Sequence, residues 1–248
     1  MSLTGKVVII TGGTKGIGAA ISESLHAQGA SIVATYASDA SSAEELNKKL
    51  STDSKRILTL QSDAGSIPAI EKLVSTTLKT FGQIDIVIPN AGILLMKGLS
   101  QTTESDFDKA FTTNVKGPWF LCQKAAPHMK SGGKILLLST SLTANSSITP
   151  NYMLYNATKG AIEQMTRLMA KELSPKGISV NAIAPGPTAT ELFLAGKSEE
   201  LLQGFTKAIP AGRLGQPEDI AGAVKLLLSD ESGWIQGQVV RANGGMVV

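Results

Sequence analysis

Cysteine, histidine, aromatic side chains and charge are all scarce in this chain. A single cysteine, Cys122, excludes an intrachain disulfide and any cysteine-based zinc site, and two histidines, His26 and His128, exclude a histidine-rich metal centre. Charged residues make up 17%, against ~25% in an ordinary globular chain. The net charge of +3 is small and scattered, which argues against a nucleic-acid partner. No apolar run approaches the ~18 residues that cross a bilayer. The first run, Val7 to Ile10, follows a segment with no basic signal-peptide region. A soluble, cytoplasmic protein without membrane contact is expected.

Apolar and small residues are plentiful instead. At 42% hydrophobic, 248 residues can form one α/β domain of the common ~200–250-residue size. So little charge leaves more apolar area than one core hides, and a subunit interface would absorb it. The 25 glycines point to tight turns and close backbone approaches.

Short apolar runs alternate with helical periods. The runs are 6–11, 31–36, 56–61, 84–89, 134–139 and 178–184, with a weaker one at 238–241. Val7-Val8-Ile9-Ile10 and Ile135-Leu136-Leu137-Leu138 are apolar on consecutive residues, as in parallel strands buried on both faces. Ile17, Ile21 and Leu25 step by four along a helix over 16–28, ended by Gly29. The i,i+4 pairs Glu44/Lys48 and Glu45/Lys49 mark a solvated helix face. Further helices are expected at 67–80, at 104–129 as one long element, at 155–173 and at 217–229. The alternation predicts an α/β fold, a Rossmann-like doubly wound parallel sheet with helices on both faces, as a single domain over 1–248. The segment 185–213 breaks the rhythm with three prolines and four glycines, and reads as a substrate lid at about 186–213.

Thr11-Gly12-Gly13-Thr14-Lys15-Gly16-Ile17-Gly18 joins the first strand to the first helix. Glycines there let the backbone approach a pyrophosphate, whose charge faces the free N–H groups of the helix start. The spacing Gly-x-x-x-Gly-x-Gly is one residue longer than the usual dinucleotide fingerprint, and no Gly-Lys-Ser/Thr closes it as a P-loop. The second strand ends Thr35-Tyr36-Ala37-Ser38 with no acid before Asp39. An acid there would bind the ribose 2′-hydroxyl and repel a 2′-phosphate. Lys15 would supply a cation and Ser38 a hydroxyl, so NADPH/NADP+ is the expected cofactor. The alternative leaves Lys15 in solvent and folds Asp39 back on the ribose.

Tyr155 and Lys159 stand i and i+4 at the start of the helix after the fifth strand. A phenol with an ordinary pKa of ~10 is a poor acid–base group near neutrality. An ammonium one turn away would favour the phenolate and suit the tyrosine for proton exchange with a carbonyl or alcohol oxygen.

Thr11-Gly12-(x3)-Gly16-Ile17-Gly18, Asp63, Asn90-Ala91-Gly92, Asn114, the Tyr155/Lys159 pair, Pro185-Gly186 with Thr190, and Gly212-Arg213-(x3)-Pro217-Glu218-Asp219 occur in this order. Together they make the chain resemble the short-chain dehydrogenase/reductase family, of the 3-oxoacyl and ketone reductase type, over essentially its whole length. One departure is Pro89, where the family often has Asn. The resemblance implies that Gly12, Thr14, Lys15, Gly16, Ile17 and Gly18 hold the cofactor, with Tyr36, Ala37 and Ser38 at its ribose. It implies Asp63 and Ala64 at the adenine, and Asn90, Ala91 and Gly92 along the cofactor. Pro185, Gly186, Thr188 and Thr190 would meet the nicotinamide end. Tyr155 would be the acid–base, Lys159 a ligand of the nicotinamide ribose, and Asn114 the holder of a water in a proton relay. The family places its catalytic serine about 13 or 14 residues before the tyrosine. Ser141 fits that distance, with Ser139 and Thr140 as neighbouring alternatives.

The expected activity is NADPH-dependent reduction of a ketone to an alcohol, or the reverse. A non-catalytic NADP(H)-binding sensor is the alternative, disfavoured because it needs no proton relay. Epimerases and dehydratases on related folds carry a separate substrate domain, for which 248 residues leave no room. Met153, Leu154, Leu192, Phe193 and Met246 would line a substrate pocket or pack at an interface. The apolar Leu192-Phe193-Leu194 favours a hydrophobic ketone over a sugar. The apolar C-terminal segment, as an edge strand, and the resemblance point to a homotetramer with two-fold symmetry.

Overall fold

The computed structural model describes residues 2–51 and 56–248. Among these, seven strands form one sheet: β1 (Val7–Ile10), β2 (Ser31–Tyr36), β3 (Ile57–Gln61), β4 (Ile86–Ile88), β5 (Lys134–Leu138), β6 (Ser179–Pro185) and β7 (Val239–Ala242). Their order is β3-β2-β1-β4-β5-β6-β7, with every pairing parallel.

The consecutive apolar runs are divided by parity, because successive strand side chains point to opposite faces. Val8, Ile10, Ile32, Ala34, Ile86, Ile88, Leu136 and Leu138 face one core. Ile9, Val33, Val87, Ile135 and Leu137 face the other. The first core is closed by α1 (Gly16–Ala27) and α2 (Ala40–Leu50), the second by α3 (Ile67–Phe81). Ile21 and Leu25 of α1 are fully buried, and Gly29 follows it with φ +97°, the left-handed stop that the sequence signalled. Lys49 of α2 pairs with Glu23 of α1 at 2.6 Å, a contact between helices rather than one along its own helix face.

The helix expected over 104–129 is one continuous path to His128 with a π-helical turn inside it. It consists of α4 (Glu104–Phe111), a π-helical turn at Thr112–Lys116, α5 (Gly117–Ala125) and a tight turn at Ala126–His128. Pro118 lacks the N–H that an uninterrupted α-helix would need, while Gly117 lies so close to Ala64 that a Cβ there would stand 2.2 Å from the Ala64 carbonyl oxygen. The π turn carries Asn114 into the interior, where it is 1% exposed. Such turns recur at functional sites.

The long helix α6 (Met153–Leu173) closes the second core with α3 and α5, beginning two residues earlier than expected. The irregular stretch after β6 contains α7 (Glu191–Leu194) and α8 (Glu199–Ala208). Thr190 and Ser198 cap them, accepting from the N–H groups of Phe193 and Leu201. The last helix, α9 (Pro217–Leu227), packs on α1 in the first core. No helix among the described residues is long and apolar enough to cross a membrane.

Candidate active site

The chain reverses direction across the sheet between β1 and β4, and the strand C-termini there open into a cleft of about 1210 Å³. The glycine loop forms one wall. Gly12 and Gly16 have φ +61° and +54°, backbone that side-chain-bearing residues rarely adopt. A Cβ on Gly18 would stand 2.0 Å from the Gly12 carbonyl oxygen, so only glycine lets α1 start this close to β1. The buried Ser22 hydroxyl, unmarked by any motif, sits between the carbonyls of Gly13 and Gly18 at 2.8 and 2.9 Å. Asn90 donates from Nδ2 to the carbonyls of Thr11 and Gly12, and Ala91 N–H donates to Thr11 Oγ1. The Asn90-Ala91-Gly92 motif therefore holds the glycine loop in shape. This cradle fits a pyrophosphate: it is open, lined by backbone, and placed at a helix N-terminus.

Tyr36, Ala37 and Ser38 line the far end of the cleft, with Asp63 and Ala64 beside them. Asp63 accepts from Gly65 N–H at 2.8 Å, which fixes the turn after β3. Asp39 caps α2 by accepting from Ser42 N–H and Ser42 Oγ, interactions that hold its carboxyl below the usual range. It also meets Lys15 at 3.4 Å. Pro185, Gly186, Thr188 and Thr190 also line the cleft, Thr190 lying against Gly16 of the glycine loop. The Arg213/Asp219 part of the family pattern is structural. Asp219 takes two hydrogen bonds from Arg213 at 2.6 and 2.9 Å and one from Gln216 N–H, capping α9.

Tyr155 and Lys159 both reach the cleft from the first turns of α6. The Lys159 ammonium donates to the Leu138 carbonyl at 2.7 Å, and its Nζ lies 5.7 Å from the Tyr155 ring centroid. Burial pulls Lys159 down to about 8. Burial also pushes the Tyr155 phenol up to about 12, with the nearby Thr140 side chain acting the other way. Desolvation dominates that shift, and the Lys159 ammonium is engaged by the Leu138 carbonyl.

Spacing pointed to Ser141, and Ser139, Thr140 and Ser141 all line the cleft with Tyr155. Ser141 Oγ donates to the Ala184 carbonyl at 2.9 Å and the residue is 1% exposed. Ser139 Oγ donates to Glu163 at 2.9 Å, and Thr143 also donates to that carboxylate. Thr140 lies between them and lines the cleft as well, its Oγ1 accepting from Leu142 N–H at 3.4 Å. Asn114 lies behind the cleft wall. Its amide accepts from Ile93 N–H and donates to the Ile93 carbonyl and to Thr158 Oγ1. A Cβ on Gly92 would stand 3.3 Å from Asn114 Oδ1 and 3.8 Å from Lys159 Nζ, so glycine keeps the space between these two polar groups clear.

Of the five residues read as pocket lining or interface, Leu192, Phe193 and Met246 line the cleft, and Met153 and Leu154 do not. Leu154 is buried in the interior and Met153 is 46% exposed. Tyr152, Ile148, Leu201 and Phe205, not singled out from the sequence, complete that wall. Phe193 and Phe205 meet edge to face at 5.3 Å, joining α7 to α8.

A family model described as enoyl-(acyl carrier protein) reductase matches residues 12–247. The chain is 37% identical to a hydroxynaphthalene reductase-like protein of Metarhizium robertsii, over 99% of its own length and 96% of the relative's. It is 36% identical to versicolorin reductase 1 of Aspergillus parasiticus, covering 98% and 97%. Among solved structures, a short-chain dehydrogenase of Burkholderia cenocepacia in complex with NADP superposes with a TM-score of 0.94 at 30% identity, over 99% of both chains. The glycine cradle, the parallel sheet order and these likenesses place the chain in the short-chain dehydrogenase/reductase family, oxidoreductases that act on carbonyl or alcohol groups with a nicotinamide cofactor.

Proposed function

We propose that this protein reduces an apolar, aromatic ketone to a secondary alcohol with NADPH, and catalyses the reverse oxidation. The observation that carries the reading is one cleft lined by Tyr155, Lys159, Thr140 and Ser141 together with the glycine loop and the apolar Leu192, Phe193 and Phe205. The names of the hydroxynaphthalene reductase-like relative and of versicolorin reductase 1 agree with a fused aromatic substrate. The NADP complex of the Burkholderia relative agrees with the cofactor.

Bound in the cleft, the dinucleotide would supply a hydride to the carbonyl carbon. Gly12, Thr14, Gly16, Ile17 and Gly18 would hold its pyrophosphate. Lys15 and Ser38 would take the 2′-phosphate, with Tyr36 and Ala37 beside the ribose. Asp63 and Ala64 would meet the adenine, Asn90, Ala91 and Gly92 the middle of the cofactor, and Pro185, Gly186, Thr188 and Thr190 the nicotinamide end. Tyr155 gives its phenolic proton to the carbonyl oxygen, and the Thr140 hydroxyl, or Ser141 if its turn reorients, donates a second hydrogen bond there. Lys159, once released from Leu138, holds the ribose and lowers the phenol's pKa. Asn114 Oδ1, across the Gly92 gap, orients a water that returns the proton to Tyr155 through Lys159. The helices α7 and α8 act as the lid, and the one domain carries both cofactor and substrate.

Exposed apolar side chains support a homotetramer. Phe107, Trp119 and Leu168 lie on α4, α5 and α6, while Leu226 and Trp234 lie by the β7 edge of the sheet. Trp234 is 99% exposed, and a solvated tryptophan is costly unless a partner covers it. The test of the activity is NADPH oxidation across a panel of fused-ring, acyl-thioester and sugar ketones. The highest kcat/KM should fall on the fused-ring group, and a maximum on sugars overturns the substrate class.

A further inference from the structure

Lys15 is shared by two carboxylates that reach it from opposite sides of the cleft. Its ammonium stands 3.4 Å from Asp39 Oδ2, beyond the end of β2, and 3.3 Å from Glu191 Oε2, the first residue of α7. Asp39 has a second task in capping α2. Glu191 has no comparable one: its side chain is 81% exposed, and among the described residues its carboxylate meets no other cation. The backbones converge at the same point, since a Cβ on Gly16 would stand 3.4 Å from Thr190 Cγ2. One positive charge between two negative ones leaves this corner of the cleft net negative. It is the corner lined by Tyr36, Ala37 and Ser38.

We propose that Glu191 is a cofactor-specificity determinant whose carboxylate competes with the 2′-phosphate of NADP(H) for Lys15. The inference rests on the reading of Lys15 as the cation for that phosphate. A phosphate dianion arriving at Lys15 meets like charge from Glu191 and must displace it, which weakens binding of the phosphorylated cofactor. NADH carries no such group and leaves the Lys15–Glu191 pair in place. The same pair ties the start of α7 to the glycine loop, so entry of the phosphate frees the lid where it borders the cofactor. Lys15 is held in its charged form chiefly by Glu191 and then by Asp39, and is ready to exchange one anion for another.

Glu191→Gln removes the charge, keeps the shape and leaves the Thr190 cap of α7 intact. Dissociation constants for NADPH and for NADH, measured by calorimetry without substrate, should be compared in the parent, in Glu191→Gln and in Lys15→Ala. Glu191→Gln should tighten NADPH about threefold or more while NADH changes less than about twofold, the scale of an exposed ion pair plus phosphate repulsion. Lys15→Ala should weaken NADPH alone. NADPH that responds to Lys15→Ala but not to Glu191→Gln overturns the competition while the cofactor reading stands. NADPH unaffected by Lys15→Ala overturns both. Equal tightening of both cofactors in Glu191→Gln shows a lid that is merely loosened, and also overturns the competition.

Discussion

The ammonium of Lys159 lies 5.7 Å from the centre of the Tyr155 ring, close enough to act on the phenol but turned to the carbonyl of Leu138. Both groups are desolvated, and desolvation drives their pKa values toward the neutral form in each case, the lysine down to about 8 and the tyrosine up to about 12. The neutral phenol suits a proton donor in the direction of carbonyl reduction.

The lysine has a consequence for stability. Its folded pKa is depressed from 10.5 to about 8, so between those values the unfolded chain holds a proton that the folded chain has lost. Stability from this residue therefore rises as pH climbs through that window. Below it, burying the ammonium costs about 3 kcal/mol. Lys159→Met removes that cost but strands the Leu138 carbonyl, a loss of about 1–3 kcal/mol. The diagnostic is the slope: urea denaturation from pH 7 to 10 should show the parent gaining on Lys159→Met above pH 8. A difference constant with pH would contradict the assignment.

Tyr155→Phe keeps the ring and removes the proton donor. Turnover should fall by at least about a hundredfold, the scale of general acid catalysis. NADPH affinity should stay within about twofold, under 0.5 kcal/mol. Retention of more than a few per cent of kcat would mean that another group protonates the product.

Thr140→Val and Ser141→Ala separate the two candidate hydroxyls. Loss of a hydrogen bond to the reacting oxygen costs about 10²-fold or more in kcat. That loss should follow Thr140→Val. Ser141→Ala should chiefly lower Tm, because its hydroxyl is committed to Ala184. The opposite pattern would make Ser141 the catalytic hydroxyl.

NADPH should exceed NADH in kcat/KM by more than about tenfold, or 1.4 kcal/mol of differential binding. Ala37→Asp places a carboxylate at the ribose end of the cleft and should move the preference toward NADH by repelling the 2′-phosphate. Equal use of the two cofactors by the parent refutes this.

Light scattering at micromolar concentration should give four times the 25.8 kDa of one chain. Trp234→Glu and Leu168→Glu should each reduce that mass, by charging one of the two exposed apolar surfaces. A parent mass of one chain refutes the tetramer, and a mass of two chains leaves only one of the surfaces as an interface.

Much of this molecule is written locally. Strand parity places Ile9 in one core and Ile10 in the other, and consecutive apolar residues reveal such two-faced strands before any partner is known. The Gly12, Gly16 and Gly18 spacing identifies the phosphate cradle, because positive φ and a 2.0 Å approach leave no room for a side chain. The step from Tyr155 to Lys159 is one helical turn in any setting. Other features depend on residues distant in the chain. The π turn at Asn114 is joined to distant residues by the amide's bonds to Ile93 and Thr158, and the Ala64 carbonyl leaves no room for a side chain at Gly117. Ser139 bonds Glu163 and Ser141 bonds the Ala184 carbonyl, partners 24 and 43 positions away in the chain. Lys15 meets Glu191 across 176 positions of sequence. Periodicity and backbone conformation belong to neighbouring residues, whereas a polar side chain's choice of partner and the cost of its burial exist only once the chain has closed around it.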